Sequence, residues 1–172
     1  MLLTTHFTKH LKLTISAMLM VSLLTACGFK LRGDYLIPER LQTMYVSSQD
    51  PHGELTRVVK QHLTVNDITI IKSVTDDVPH LRILKDSLNR RTLSLFENGQ
   101  VAEYELTYTV RYEVMINEQE RQYYDFNITR SYQDDPNRAL AKTRELNLLR
   151  KEMRVAAADK ILRDLASIKL NG

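Results

Sequence analysis

The stretch Tyr104-Glu105-Leu106-Thr107-Tyr108-Thr109-Val110-Arg111-Tyr112-Glu113-Val114-Met115-Ile116 decides the fold. Tyr104, Leu106, Tyr108, Val110, Tyr112, Val114 and Ile116 fall on even positions, with Glu105, Thr107, Thr109, Arg111 and Glu113 between them. Side chains alternate across a strand, so this spacing gives one apolar and one wetted face, as in an antiparallel sheet covered on one side. Before it, Glu97-Asn98-Gly99-Gln100 reads as a hairpin turn, because Asn-Gly accepts the positive φ of a tight reversal. After it, Asn117 to Glu120 reads as the return turn, and Tyr124, Phe126 and Ile128 resume the alternation as far as Tyr132. The strand is long enough that its hairpin is expected to project beyond the domain.

Upstream, Met44-Tyr45-Val46 and Ile68-Thr69-Ile70-Ile71 read as short strands, and His80 to Asp86 alternates around Leu81 and Ile83. Between the short strands, Asp50-Pro51 reads as a helix start, with Asp50 as the cap and Pro51 where no N–H is needed. Leu55, Val58, Val59 and Leu63 then make one apolar stripe. Asp134-Asp135-Pro136 repeats the start signal. From there to Leu170 the chain has no Gly or Pro, and Leu146, Leu149, Met153, Ala157, Ile161, Leu165 and Ile168 recur at spacings of three and four. This predicts one long amphipathic helix, or two collinear ones, across the sheet, with Ala156-Ala157-Ala158 allowing close approach. The expected fold class is α+β: two helices packed on one face of a four-stranded, mostly antiparallel sheet.

The N-terminus reads as a targeting segment. Lys9, His10 and Lys12 precede an apolar run from Leu13 to Leu24, with no acid before Cys27. Twelve helical residues cover about 18 Å, too short for a bilayer core of about 30 Å, so the run is a signal-peptide core. Thr25-Ala26 are the small residues before a cut, and Cys27, the one cysteine among 172 residues, is the residue that a bacterial lipobox acylates. Gly28 follows it, where Asp would favour retention at the inner membrane. The expected organisation is a lipoprotein signal peptide over 1–26, a lipidated tether over 27–38 and a single domain over 39–172, anchored at Cys27 on the periplasmic side of the outer membrane. Loss of Lys9 and Lys12 brings the formal net charge of +3 down by two. The charge that remains is segregated, acidic from Glu103 to Pro136 and basic from Asn137 to Leu170.

No motif for catalysis stands out. Among the mature histidines, His52 and His62 are ten residues apart with no cysteine to join them, a poor metal set. There is no Gly-x-Ser-x-Gly elbow, Gly-rich phosphate loop or His-Glu-x-x-His motif. Asp76-Asp77 and Asp134-Asp135 read as loop and cap residues. Neither an enzyme, a cofactor nor a metal is expected, and the compartment excludes nucleic acid. Arg138, Lys142, Arg144, Arg150, Lys151 and Arg154 on the last helix are cations for phosphates or acidic protein, or simply a solvated helix face.

Several segments in order resemble the LPS-assembly lipoprotein family LptE. They are Cys27-Gly28-Phe29-Lys30-Leu31-Arg32-Gly33, Asp50-Pro51, Val78-Pro79-His80-Leu81, Asn98-Gly99-Gln100-Val101-Ala102-Glu103-Tyr104, and Arg130-Ser131-Tyr132 with Ala139-Leu140-Ala141-Lys142. The resemblance implies a non-enzymatic plug in the lumen of the outer-membrane β-barrel LptD, one to one with it. Such a plug helps the barrel to assemble and binds lipopolysaccharide on its way to the outer leaflet. Of the family's two basic positions for that ligand, one matches Lys142. The other falls on Glu97, an acid here. Arg90 or Arg91, a few residues earlier on the same hairpin, is the substitute for that position; Lys142, Arg138 and Arg91 are the candidate lipopolysaccharide-binding residues, and Glu97, Asn98 and Gly99 the candidate turn facing barrel or lipid. The residues alone leave open an outer-membrane lipoprotein that tethers or carries another envelope component.

Overall fold

The computed structural model describes residues 35–75, 77–117 and 121–169; the expected signal peptide, Cys27 and most of the rest of the tether lie outside them. After a 3-10 turn at Glu39–Leu41, the chain runs β1 (Thr43–Ser48), α1 (Glu54–Val65), β2 (Thr69–Ile71), β3 (His80–Leu95), β4 (Val101–Met115), β5 (Arg121–Gln133), a second 3-10 turn (Pro136–Arg138) and α2 (Ala139–Ser167). Ile37, which the sequence places in the tether, is apolar and buried in the core.

The sheet has five strands in the order β2-β1-β3-β4-β5. This corrects the expected four-stranded, mostly antiparallel sheet. β1 is parallel to both β2 and β3, whereas β3-β4 and β4-β5 are antiparallel. The cause is α1. A twelve-residue helix carries the chain back along the sheet, so the next strand starts at the same end as β1 and runs beside it in the same direction.

The even row of β4 is the floor of the core. Leu106, Tyr108, Val110, Tyr112, Val114 and, just past the strand, Ile116 are each no more than 3% exposed. Over the end of the sheet where β1 and β2 lie, Leu55, Val58, Val59 and Leu63 of α1 and Met153, Ala157, Ile161 and Leu165 of α2 close the core. The buried Ala157 and Ala158 supply the expected small surface of α2. Tyr112 spans the layers: its hydroxyl donates to Asp164 Oδ2 at 2.7 Å, and its ring stacks on Tyr124 with centroids 4.8 Å apart. Burial and the Asp164 carboxylate drive the Tyr112 pKa well upward, so the phenol stays a donor.

Both Asp-Pro starts differ from expectation. Asp50 does not cap α1. Its carbonyl accepts from Gly53 N–H at 3.1 Å and from Thr56 Oγ1 at 2.8 Å, closing a turn with Pro51 at its second position, and the helix begins at Glu54 with Gly53 as N-cap. Asp135 does cap, accepting from Asn137 N–H at 3.0 Å, but it caps the 3-10 turn that precedes α2.

A register shift between Ile83 and Lys85 decides which residues of β3 face the helices. Leu81 and Ile83 point into the core at odd positions. One extra residue then reverses the parity, and the inward row becomes Asp86, Leu88, Arg90 and Thr92, opposite Val110, Tyr108, Leu106 and Tyr104.

Tyr112→Phe is expected to lower stability by about 1–2 kcal/mol, the usual range for a lost buried hydrogen bond whose acceptor stays in place. Urea unfolding followed by circular dichroism checks this. The midpoint should fall with the slope unchanged, and an unmoved midpoint would show that the Asp164 bond contributes nothing.

Candidate functional site

Beyond β1 and β2, only β3, β4 and β5 continue, and the first half of α2 lies over them. None of the α2 residues before Met153 is fully buried. This end of the domain carries the hairpin tip. The tip is a three-residue turn in which Gly99 N–H donates to Phe96 O at 2.9 Å and Phe96 N–H to Gln100 O at 2.8 Å. Gly99 alone takes positive φ, +81°, so of the expected Asn-Gly pair only the glycine needs the left-handed region. Asn98 instead accepts the Gln100 N–H at 3.1 Å. Nothing lies within 4 Å of a Cβ built on Gly99, which leaves φ as the only constraint there.

The tip meets the start of α2. Phe96, Glu97, Asn98, Gln100, Asp135 and Asn137 are among the residues around an open cleft of about 450 Å³. Leu93, Leu95, Phe96 and Leu140 are exposed at the same end. Arg138 stands exposed at the N-cap of α2.

Lys142 is less free than its place in the sequence implies. Its side chain is only 18% exposed and its Nζ is 2.9 Å from Glu145 Oε2. Tyr132 holds it from below: the hydroxyl donates to the Lys142 carbonyl at 3.0 Å, and Nζ lies 5.3 Å from the ring centroid. Tyr132 stacks in turn on Tyr104, centroids 6.4 Å apart, and Arg90 lies 4.2 Å over Tyr104. Arg90, Tyr104, Tyr132 and Lys142 thus form one row across three strands into α2, a cation at each end. Each cation–ring contact at such a surface stabilises by about 0.5–1 kcal/mol. Burial, with Asp134 nearby, raises the Tyr132 pKa and keeps the phenol protonated.

Arg91 is not part of this row. It projects from the opposite face of the sheet, where Glu105 accepts from its Nε at 2.5 Å. Lys142 and Arg91, both expected to bind the same ligand, are therefore on different faces, and the structure puts Arg90 in the position that pairs with Lys142. The signal that could have decided between Arg90 and Arg91 is the switch of apolar parity between Ile83 and Leu88. Glu97 sits at the exposed tip, beside the cleft and away from the cation row. Among the described residues, no group of His, Cys, Asp and Glu is placed to hold a metal, and no helix is long and apolar enough to cross a membrane.

The fold is shared with a class of bacterial lipoprotein domains. Rare lipoprotein B of Shewanella oneidensis superposes with a TM-score of 0.67 and 49% identity, over 73% of this chain and 94% of that one. A minor lipoprotein of Acinetobacter baumannii, at 21% identity, matches in fold with a TM-score of 0.60, over 74% of this chain and 92% of that one. Residues 41–165 match the family model described as LptE, lipopolysaccharide-assembly. The LPS-assembly lipoprotein LptE of Pectobacterium atrosepticum is 37% identical over 161 residues, 93% of this chain and 88% of that protein. Its counterpart in Yersinia pestis is also 37% identical over 161 residues, 93% of this chain and 78% of that protein. The chain belongs to the LptE family of lipopolysaccharide-assembly lipoproteins.

A second charged cluster lies on the wetted face near the start of β3. Glu113 is 2% exposed despite facing away from the helices, with Arg82 at 3.4 Å and Arg121 at 3.8 Å. His80 is beside it, its Nε2 2.7 Å from Ser47 Oγ. Burial first, and then the charge of Arg82, lower the His80 pKa below its ordinary 6.5, while Glu113 opposes them. Between the lowered value and 6.5, the unfolded chain holds more protons than the folded one, so stability present above 6.5 is lost as the pH falls. Urea midpoints at about pH 7.5 and about pH 5.5 test this. The drop on acidification should be smaller in His80→Gln than in the parent chain, and equal drops would contradict it.

Proposed function

We propose that this chain is the lipoprotein partner and lumenal plug of the LptD outer-membrane β-barrel. In this reading it is held to the outer membrane through lipid on Cys27, supports barrel assembly and binds lipopolysaccharide, without catalysing a reaction. Family membership supports the assembly role. The observation that carries lipopolysaccharide binding is the row Arg90–Tyr104–Tyr132–Lys142 at an end that also exposes Leu93, Leu95, Phe96 and Leu140. Two cations beside an apolar tip match the chemistry of a phosphorylated, acylated glycolipid, whose phosphates take charge-assisted hydrogen bonds.

In this chain the second cation of the site is Arg90. The family's position beside the turn is Glu97, and Arg91 is committed to Glu105 on the other face. Glu145 then competes with the ligand for Lys142, since the two are already an ion pair at 2.9 Å. Phosphate binding requires that pair to open. It costs little, because Glu145 is 47% exposed and returns to water.

Depletion of the protein followed by labelling of surface lipopolysaccharide tests the role in the cell. Surface lipopolysaccharide and assembled barrel should both fall, and normal levels of both would overturn the plug reading. On the purified protein, Lys142→Glu and Arg90→Glu should each weaken lipopolysaccharide binding about tenfold, the equivalent of roughly one charge-assisted bond. Arg91→Glu should leave it unchanged and Glu145→Gln should strengthen it, all with native circular dichroism. If Lys142→Glu binds like the parent, the helix face is only solvated.

A further inference from the structure

The other end of the sheet holds an interrupted strand pairing. β2 pairs with β1 only from Thr43↔Thr69 to Tyr45↔Ile71, yet β1 continues to Ser48 with β3 alone beside it. Tyr45 N–H donates to Pro79 O at 2.9 Å and Gln49 N–H to Ile83 O at 3.2 Å, both toward β3. Alternation along the strand then points the backbone groups of Val46 and Ser48 the other way; the Val46 N–H closes the last β2 pair, and the Val46 carbonyl and the Ser48 groups lie past it. They face a cleft of about 440 Å³ whose lining includes Ser47, Ser48, Lys60, Ile70, Ile71 and Lys72.

The charge of this cleft is one-signed. Lys60 reaches it from α1 and Lys72 from the chain just after β2, and the lining contains no acid. The ion pairs at this end engage other residues, among them Arg57 with Glu54, His62 with Asp159, and Arg82 and Arg121 with Glu113. Among the described residues, neither lysine ammonium has a carboxylate partner. The serine hydroxyls are already engaged, Ser47 with His80 at 2.7 Å and Ser48 with the Asp50 N–H at 3.1 Å. What the cleft offers a ligand is thus a stretch of unpaired strand edge, two ammonium groups, and apolar walls from Ile70 and Ile71.

We infer that this cleft is a docking site for an extended acidic peptide segment of a partner protein, added along β1 in the place that β2 leaves open. Main-chain hydrogen bonds to the edge give such a mode its affinity, and side-chain pockets its selectivity. Three residues of strand span about 10 Å, a length that suits the unpaired part of β1. Carboxylates on the added strand meet Lys60 and Lys72. A free anion engages the lysines but has no use for the strand edge, and a basic or neutral strand engages the edge but meets two like or unanswered charges. The inference does not depend on the plug reading, because the cleft involves none of the residues at the hairpin end.

Fluorescence anisotropy of a labelled peptide, acetyl-Thr-Glu-Val-Glu-Val-amide, with the full-length protein in detergent tests it. The peptide should bind, and its counterpart with Lys in place of both Glu should bind at least about tenfold more weakly, as should the acidic peptide to a Lys60→Glu/Lys72→Glu variant. A version of the acidic peptide methylated on alternate backbone nitrogens should also lose about tenfold, since it cannot complete the ladder. This last arm alters only the ligand, so it holds even if the double variant is poorly folded. No binding of the acidic peptide, equal binding of the lysine peptide, or indifference to N-methylation would each overturn the proposal. Displacement by inorganic phosphate as effective as displacement by unlabelled peptide would show an anion site without strand addition, and would overturn it too.

Discussion

Six side chains on one face of β4 and its continuation, from Leu106 to Ile116, are almost completely removed from water. A row of that length cannot be kept dry by α1, which spans only Glu54–Val65. α2 does the rest, at 29 residues and about 44 Å. The two helices come into contact only near the β1 and β2 end, where His62 lies 3.0 Å from Asp159, and the buried residues of α2 begin only at Met153. From there the apolar covering thins steadily toward the hairpin tip. An isolated helix of this length is not stable merely by propensity, and its first turns are held to the sheet by polar devices: the Tyr132 hydroxyl on the Lys142 carbonyl, and the tyrosine stack beneath it.

That gradient sets where chemistry can occur. In the dry half, Asp164 is paired across the layers with Tyr112 and along α2 with Lys160. In the half near the tip, cations stand over aromatic faces and keep one side in water. Rings attract cations without neutralising them, so Arg90 and Lys142 stay available to an anion in a way that Arg91, paired with Glu105, does not. Among the described residues Glu145 is the carboxylate that competes for Lys142, and its exposure makes the competition weak.

Much of this was legible in the residues. Period two in β4 set the sheet face, Gly99 marked the turn, and the stripe from Met153 to Leu165 marked the packed part of α2. What stayed hidden came from events that leave no residue type behind. The shift after Ile83 is an extra backbone residue in a strand of ordinary composition, and it moves Arg90 rather than Arg91 to the helix side. Asp50-Pro51 opens a turn instead of a helix because the Asp50 carbonyl takes the Gly53 N–H, which leaves Glu54 as the first helical residue. The short β2 joins the sheet because α1 returns the chain to the starting end of β1, a consequence of connection length. The cation row is the least legible feature, since it draws on β3, β4, β5 and α2 at once, and only tertiary structure brings them together.

In the plug reading, the hairpin tip and the start of α2 form the working end of the protein. Photo-crosslinking in intact outer membranes tests it most directly, with a crosslinking residue placed at Asn98 or at Arg138. Adducts with the LptD barrel and with lipopolysaccharide are expected from both positions. Adducts with neither, while the protein remains folded and membrane-bound, would contradict it.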